Sequence, residues 1–226
     1  MLNILFAETA LELVPRQIIK HPSVTRNAKR MGKKPESCLL DRSLHHHAML
    51  RLPDSEKRGR PDIIHFCLLE ALGTPLNKKG GLSLISQTYD NNSIFISPEV
   101  RLPRDCHRFN SLMEQLLTEY QVPQAPELPL LKLEKMTINQ VKESIKPTKT
   151  IALTSHGKLS NFKEVCKEIS VEPKPLVLIG AYPSGPMNNE TLTIADEQIS
   201  IYPEALEAWV VTSRLIYEFE QSIGLI

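Results

Sequence analysis

The chain has 226 residues, of which 41% are hydrophobic and 23% charged, and its formal net charge is +1. That is enough apolar material for a buried core, and the net charge alone argues neither for nor against a nucleic-acid partner. No apolar run reaches the roughly 18 residues of a membrane helix, and the opening MLNILFAETALELVP has neither a charged leader nor a small-residue cleavage site, so no membrane partner is expected.

The distribution of charge is more informative than its sum. From Arg16 to Arg60 there are twelve Lys and Arg against four acids, whereas Phe109 to Ile226 carries ten against fifteen. Six of the seven histidines lie at or before His107. A basic region facing a mildly acidic one suits an anionic partner held on one side. The four cysteines (Cys38, Cys67, Cys106, Cys166) are widely spaced with no CxxC pair, as in a reduced, intracellular protein.

In chain order, Leu2 to Phe6 reads as a first strand, Glu8 to Leu13 as a short helical pattern, and Val14 to Lys34 as a basic stretch broken by prolines. Cys38 to Asp41 is a short strand candidate and Ser43 to Leu52 a helix. The stretch Arg58 to Lys78, RGRPDIIHFCLLEALGTPLNK, sets Pro61 and Asp62 at the start of an almost wholly apolar helix. Buried in that way, the helix holds Arg58 and Arg60 at the surface beside free backbone amides, an arrangement that grips phosphate. Leu82 to Tyr89 and Ser93 to Ser97 form a hairpin. Phe109, Leu112, Met113, Leu116, Leu117 and Tyr120 mark one face of an amphipathic helix. Three prolines make Val122 to Pro129 a loop. Strands at Leu130 to Leu133, Thr150 to Thr154 and Leu176 to Ile179 then alternate with helices at Thr137 to Ile145, Asn161 to Ile169 and Ala205 to Ile223. This alternation predicts an α/β domain with a largely parallel sheet.

Three groups of residues could carry chemistry. If a helix starts near Pro103, at least two of Arg101, Arg104 and Arg108 project from one face, and with Arg58 and Arg60 they would make a phosphate-binding patch. LVLIGAYPSG, Leu176 to Gly185, runs a strand into a Gly- and Pro-containing turn where backbone groups can approach a small ligand closely. The turn is not GxGxxG, which disfavours a dinucleotide or P-loop cradle. His45, His46 and His47 point about 100° apart on a helix and cannot converge on one metal, so no metal is expected.

These stretches also resemble one family. RGRPDIIHFCLLEALGTPLNK, LLDRSLHHHAM, ISPEVRLPRDCHRFNSLMEQLL, LLKL, LIGAYPSG and ISIYPEAL follow in the order found in SPOUT-class pseudouridine N1-methyltransferases of small-subunit ribosomal RNA, across almost the whole chain. The resemblance implies one domain over residues 1–226, with a SPOUT-type α/β sheet, a C-terminal trefoil knot and a hairpin-containing insertion around residues 80–98. It implies a homodimer that binds S-adenosyl-L-methionine and ribosomal RNA, meets small-subunit ribosomal proteins during ribosome assembly and, in an archaeal-like form, works in the cytoplasm.

Carried over residue by residue, the cofactor contacts are Thr154, Gly180, Gly185, Ile201, Tyr202, Pro203, Glu204, Ala205 and Leu206. The RNA contacts are Arg60, Asp62, Arg101, Arg104 and Arg108. Asp62 is the one candidate general base, although its implied task is to hold Arg60. Two departures from the family pattern stand out. Pro183-Ser184 replaces Ala-His in the first cofactor loop, and ISIYPEALEA stands where the family reads ISISNYPLSA in the second, adding the charge of Glu204. They motivate an alternative, an RNA-binding assembly factor without catalysis.

Overall fold

The computed structural model describes residues 1–226. One eight-stranded sheet runs from β1 (Leu2–Thr9) through β2 (Leu82–Thr88), β3 (Asn92–Ile96), β4 (Gln121–Val122), β5 (Leu131–Lys135), β6 (Lys149–Leu159) and β7 (Pro175–Gly180) to β8 (Glu197–Ser200). Its spatial order is β4-β5-β3-β2-β1-β7-β6-β8. Strands β2, β1, β7, β6 and β8 pair in parallel, and β3, β5 and β4 extend the sheet in antiparallel fashion. The hairpin expected around 80–98 forms from β2 and β3, and β2 lies directly against β1, so the hairpin is built into the sheet.

Both faces of the parallel strands are covered, as their near-continuous apolar sequences require. Leu2, Ile4 and Phe6 of β1 and Val177 and Ile179 of β7 pack under α3 (Pro61–Leu72), α5 (Cys106–Glu119), α7 (Phe162–Ile169) and α9 (Ala208–Ser222). The alternate residues Leu5, Ala7, Leu176 and Leu178 pack on the other side against α6 (Ile138–Ile145) and Met187. A separate small core, including Val24, Leu40 and Met49, joins α1 (Pro22–Arg30) to α2 (Arg42–Met49). Two short helices, α4 (Pro75–Lys78) and α8 (Asn189–Thr193), complete the chain. No helix is long and apolar enough to cross a membrane.

Four expectations are corrected. Glu8 to Leu13 is not helical: Glu8 and Thr9 end β1, and Leu13 bridges to Leu39. Pairing partners on both sides of β1 outweigh a weak local helix preference. The basic stretch contains α1, which Pro22 opens as first residue while His21 caps Ser23 N–H through Nδ1. Helix α5 starts at Cys106, because Asp105 accepts from the Arg108 amide at 3.0 Å and fixes the N-cap there. Strand β8 and helix α8 occupy a stretch to which the periodicity assigned no element.

Strand β6 holds β8 in two registers. Leu153 faces Ile199 in one, Lys158 faces the same Ile199 in the other, and residues 154–157 bow out between them. Gly157 is required at the crown of that bow. A β-carbon there would stand 2.5 Å from Ile199 N and 2.6 Å from the Gln198 carbonyl carbon.

Candidate functional site

A cleft of about 160 Å³ opens where β7 and β8 end, beside Leu153 to Ser155 at the bow in β6. The carboxyl edge of a parallel sheet is where loops converge and ligands of α/β proteins bind. Its apolar wall comes from Leu153, Ile179, Ala208 and Val211, and its rim from the loops Tyr182–Met187 and Ser200–Leu206. Of the residues assigned to cofactor contact, Thr154, Gly180, Gly185, Ile201, Tyr202, Glu204, Ala205 and Leu206 all line it. Pro203, exposed in the same segment, does not.

No backbone amide from Tyr202 to Leu206 donates a hydrogen bond within the chain, which leaves polar backbone edges open around an apolar floor. Glu204 supplies the one carboxylate of the lining. Gly180 is required by contact: a β-carbon there would lie 2.8 Å from Cε1 of the Tyr182 ring. Gly185 is required by conformation, with φ +93. Burial raises the Tyr182 hydroxyl pKa, so the ring enters the site as a neutral phenol.

The first rim loop is anchored from below by a buried ion pair absent from every sequence reading. Lys57 Nζ donates to Glu8 Oε2 at 2.6 Å and to Asn188 Oδ1 at 2.9 Å, while the Asn188 amide donates to Glu8 Oε1 at 2.6 Å. Glu8 adopts φ 53, a left-handed conformation uncommon for a residue with a side chain. The Lys57 ammonium also lies 4.6 Å from the Tyr182 ring centroid. The positive φ and the partner at position 57 are not visible in a one-dimensional pattern. The sequence pattern placed Glu8 in a helical stretch and gave no sign of its buried partner.

Beside this cleft the two arginines of RGR part company. Gly59 has φ +69, a conformation that turns the chain between them. A β-carbon on it would lie 2.8 Å from Met49 Cε. Arg58 is therefore not on the surface, as the sequence suggested. It is buried, donating through Nε at 2.7 Å and Nη2 at 2.6 Å to the two oxygens of Glu12, with its guanidinium carbon 4.9 Å from the Tyr89 ring centroid. Burial pushes the Glu12 carboxyl up against the pull of Arg58; the short two-pronged geometry is that of an ionised pair.

Arg60 stays at the surface. Its Nε and Nη2 donate to Asp62 at 2.8 and 2.7 Å, and that contact raises its pKa further. Arg101, Arg104 and Arg108 are exposed, and none makes a side-chain hydrogen bond or ion pair within the chain. Arg101 and Arg104 lie in the extended segment before α5, with only Arg108 in its first turn, so they do not share one helix face. That segment is held by His65 of α3, whose Nε2 donates to the Pro103 carbonyl at 2.7 Å while its ring stacks on Phe109 with centroids 4.0 Å apart. His65 is thus a positioning residue for the arginines.

The histidine run divides as the helix geometry demands. His45 is buried, with Nδ1 accepting from the Asp41 amide at 3.1 Å, while His46 and His47 face solvent. All four cysteines are free thiols, and burial pushes Cys67 and Cys166 up to about 12.

Residues 4–220 match the family described as EMG1/NEP1 methyltransferase. The chain belongs to that family. Among its EMG1/NEP1 relatives, the ribosomal RNA small subunit methyltransferase Nep1 of Staphylothermus marinus is 44% identical over 225 residues, covering 100% of this chain and 97% of the relative. The Nep1 of Pyrococcus furiosus is 38% identical, covering 98% and 97%. The crystal structure of Archaeoglobus fulgidus Nep1 bound to S-adenosylhomocysteine superposes with a TM-score of 0.87 at 34% identity, covering 99% of each chain. The α/β sheet described above is the Nep1 fold.

Proposed function

We propose that this protein transfers a methyl group from S-adenosyl-L-methionine to N1 of a pseudouridine in small-subunit ribosomal RNA. The observation that carries the reading is the cleft at the ends of β7 and β8 and the bow of β6, where the loop residues implied by the family resemblance converge. Its chemistry suits the cofactor. Leu153, Ile179 and Val211 offer an apolar bed for an adenine ring, the open amides of Tyr202 to Leu206 offer donors, and Glu204 offers a counter-charge to a sulfonium. The Nep1 relatives named as small-subunit ribosomal RNA methyltransferases support the substrate class, and the S-adenosylhomocysteine bound to Archaeoglobus fulgidus Nep1 supports the cofactor.

When bound, the cofactor supplies an already activated methyl group. What remains for the chain is to place the acceptor nitrogen in line with it and keep the base out of its stack. Arg101, Arg104 and Arg108, unpaired and exposed, hold flanking phosphates. Arg60 is pre-set by Asp62, whose two oxygens are both engaged, so Asp62 orients and does not abstract. The N1–C bond would form as the sulfonium S–CH3 bond breaks, leaving S-adenosylhomocysteine, and the N1 proton would pass to solvent.

Two finer features complete the proposal. The chain works as a homodimer through α3 and α9, where Phe66, 45% exposed, meets Trp209 edge-on at 5.3 Å in an apolar surface with Tyr217. The C-terminal segment is knotted, in keeping with the two-register grip of β6 on β8.

The test is calorimetry with S-adenosyl-L-methionine, followed by transfer of labelled methyl to RNA carrying pseudouridine or uridine at one position. Saturation at one cofactor per chain and labelling of the pseudouridine RNA alone are expected. RNA binding without cofactor heat would replace this reading by the non-catalytic assembly factor that the altered loops motivate.

A further inference from the structure

A second cavity, larger than the cofactor cleft and sharing no residue with it, lies between α1, α2, the start of α3 and the start of α5. Its volume is about 670 Å³, within the range of roughly 300–1,000 Å³ usual for small-ligand sites. We propose that this cavity receives a second nucleobase of the bound RNA, a neighbour of the methylated one. The proposal rests on the RNA-methyltransferase reading above.

Charge decides the ligand class. Every acid that lines the cavity already has a partner in the chain. Glu114 takes Lys33 at 2.5 Å and the Leu39 amide at 2.9 Å, Asp62 takes Arg60, and Asp41 takes the Ser43 amide and hydroxyl at 2.8 and 2.6 Å. The interior is close to neutral and offers polar groups still free to bond. Asn110 and His107 make no side-chain hydrogen bond, and Arg30 uses one nitrogen on Asn27 and keeps others free.

Two large apolar side chains also face the cavity while remaining open to solvent, Met31 at 37% and Leu44 at 38% exposure. A neutral planar ring with hydrogen-bonding edges and apolar faces matches this lining, and a nucleobase is such a ring. A free phosphate does not match it, because no cluster of unpaired cations lies inside. The unpaired cations Arg101, Arg104 and Arg108 lie instead on and just before α5, where the phosphates joining the bases would run.

The two cavities are also neighbours. Arg60, which lines the second, donates its amide to Ala10 O at 3.1 Å, and the Ala10 amide donates to Ala181 O at 3.0 Å, next to Gly180 of the first. One residue of the chain after β1 separates them. A splayed single strand that brings its target base to the methyl donor held in the first cavity can therefore place a neighbouring base in the second, which would set which sequences are methylated.

The test is photochemical. A random-sequence dodecamer RNA containing 4-thiouridine is irradiated with the full-length protein in S-adenosylhomocysteine, and the cross-linked residues are identified. Cross-links at Met31, Cys106 or His107 are expected. They should vanish in Asn110→Trp and Leu44→Trp, whose indoles fill the cavity from two different helices, with a loss of RNA affinity of roughly tenfold. No cross-link at these residues in the wild-type protein overturns the proposal, and so do cross-links that persist in both variants. If either variant melts early, the wild-type map decides. Calorimetry with the cofactor on the same preparations separates the two readings. Cofactor heat without these cross-links removes the second pocket and leaves the methyltransferase, whereas cross-links without heat keep the pocket and remove the cofactor reading.

Discussion

Tyr182 lies so close over Gly180 that a methyl group added to the glycine would stand 2.8 Å from Cε1 of the ring. Gly180→Ala must push the ring into the cleft or push the strand end back. Overpacking of this kind costs about 1–3 kcal/mol. The melting temperature of Gly180→Ala should fall, and Tyr182→Ala in the same chain should restore most of it. Equal losses in the single and double variants would show that the ring is not what the glycine accommodates.

Lys57 and Glu8 form a pair with only 7% of each side chain exposed. Removing one partner strands the other, at a cost of about 3–5 kcal/mol. Lys57→Met should therefore destabilise the protein strongly, and the double change with Glu8→Gln should recover much of the loss, since the glutamine oxygen can still accept from the Asn188 amide. Cofactor affinity should fall in the single variant because Asn188 ends the loop that rims the cleft. Thermal melts and cofactor calorimetry on the three variants check both parts.

Arg104→Ala and Arg108→Ala remove exposed, unpaired charges and should leave the melting temperature and cofactor affinity as they are. Each should weaken RNA binding and reduce the slope of log K against log salt by about 1. A salt titration of RNA affinity reads the slope directly, and an unchanged slope would take these arginines off the phosphates.

His45 gives a pH dependence with a definite sign. Burial lowers its pKa below the ordinary 6.5, against a smaller pull upward from Asp41. The unfolded chain therefore takes up this proton first, so the contribution is present above pH 6.5 and lost as pH falls through the lower folded value. Between about pH 7 and pH 5 the wild-type melting temperature should fall more steeply than that of His45→Gln. Parallel curves would assign the acid sensitivity to other groups.

Much of this fold was legible where local chemistry and tertiary role agree. Pro61 and Asp62 open α3 because a missing N–H and a first-turn carboxylate suit any helix start, and the heavy apolar content of that helix reports its burial. The first rim loop of the cleft was legible through Gly180 and Gly185, whose need for space and for positive φ is written in the residue type, whereas the second, Ile201 to Leu206, carries no such mark and was reached only through the family resemblance. Arg58 was not legible, since its partner Glu12 is 46 positions away and the turn at Gly59 decides which arginine faces inward. The same holds for Glu8 and Lys57. A charged residue in sequence looks alike whether it meets water or a buried counter-ion. Strand β8 escaped because its four residues are too few to show a period.

The bow of residues 154–157 around Ile199 ties the site to the completion of the chain. The far wall of the cleft is made by Ser200 to Val211, and it is in place only when β8 is seated in the grip of β6. Helix α9, which follows that wall, also puts Leu215, Ile216 and Phe219 into the main core under α3, so a chain that stops before β8 lacks both the wall and part of the core. One C-terminal segment thus closes the cleft and seals the sheet, so the pocket cannot be lost by truncation without the scaffold being weakened as well.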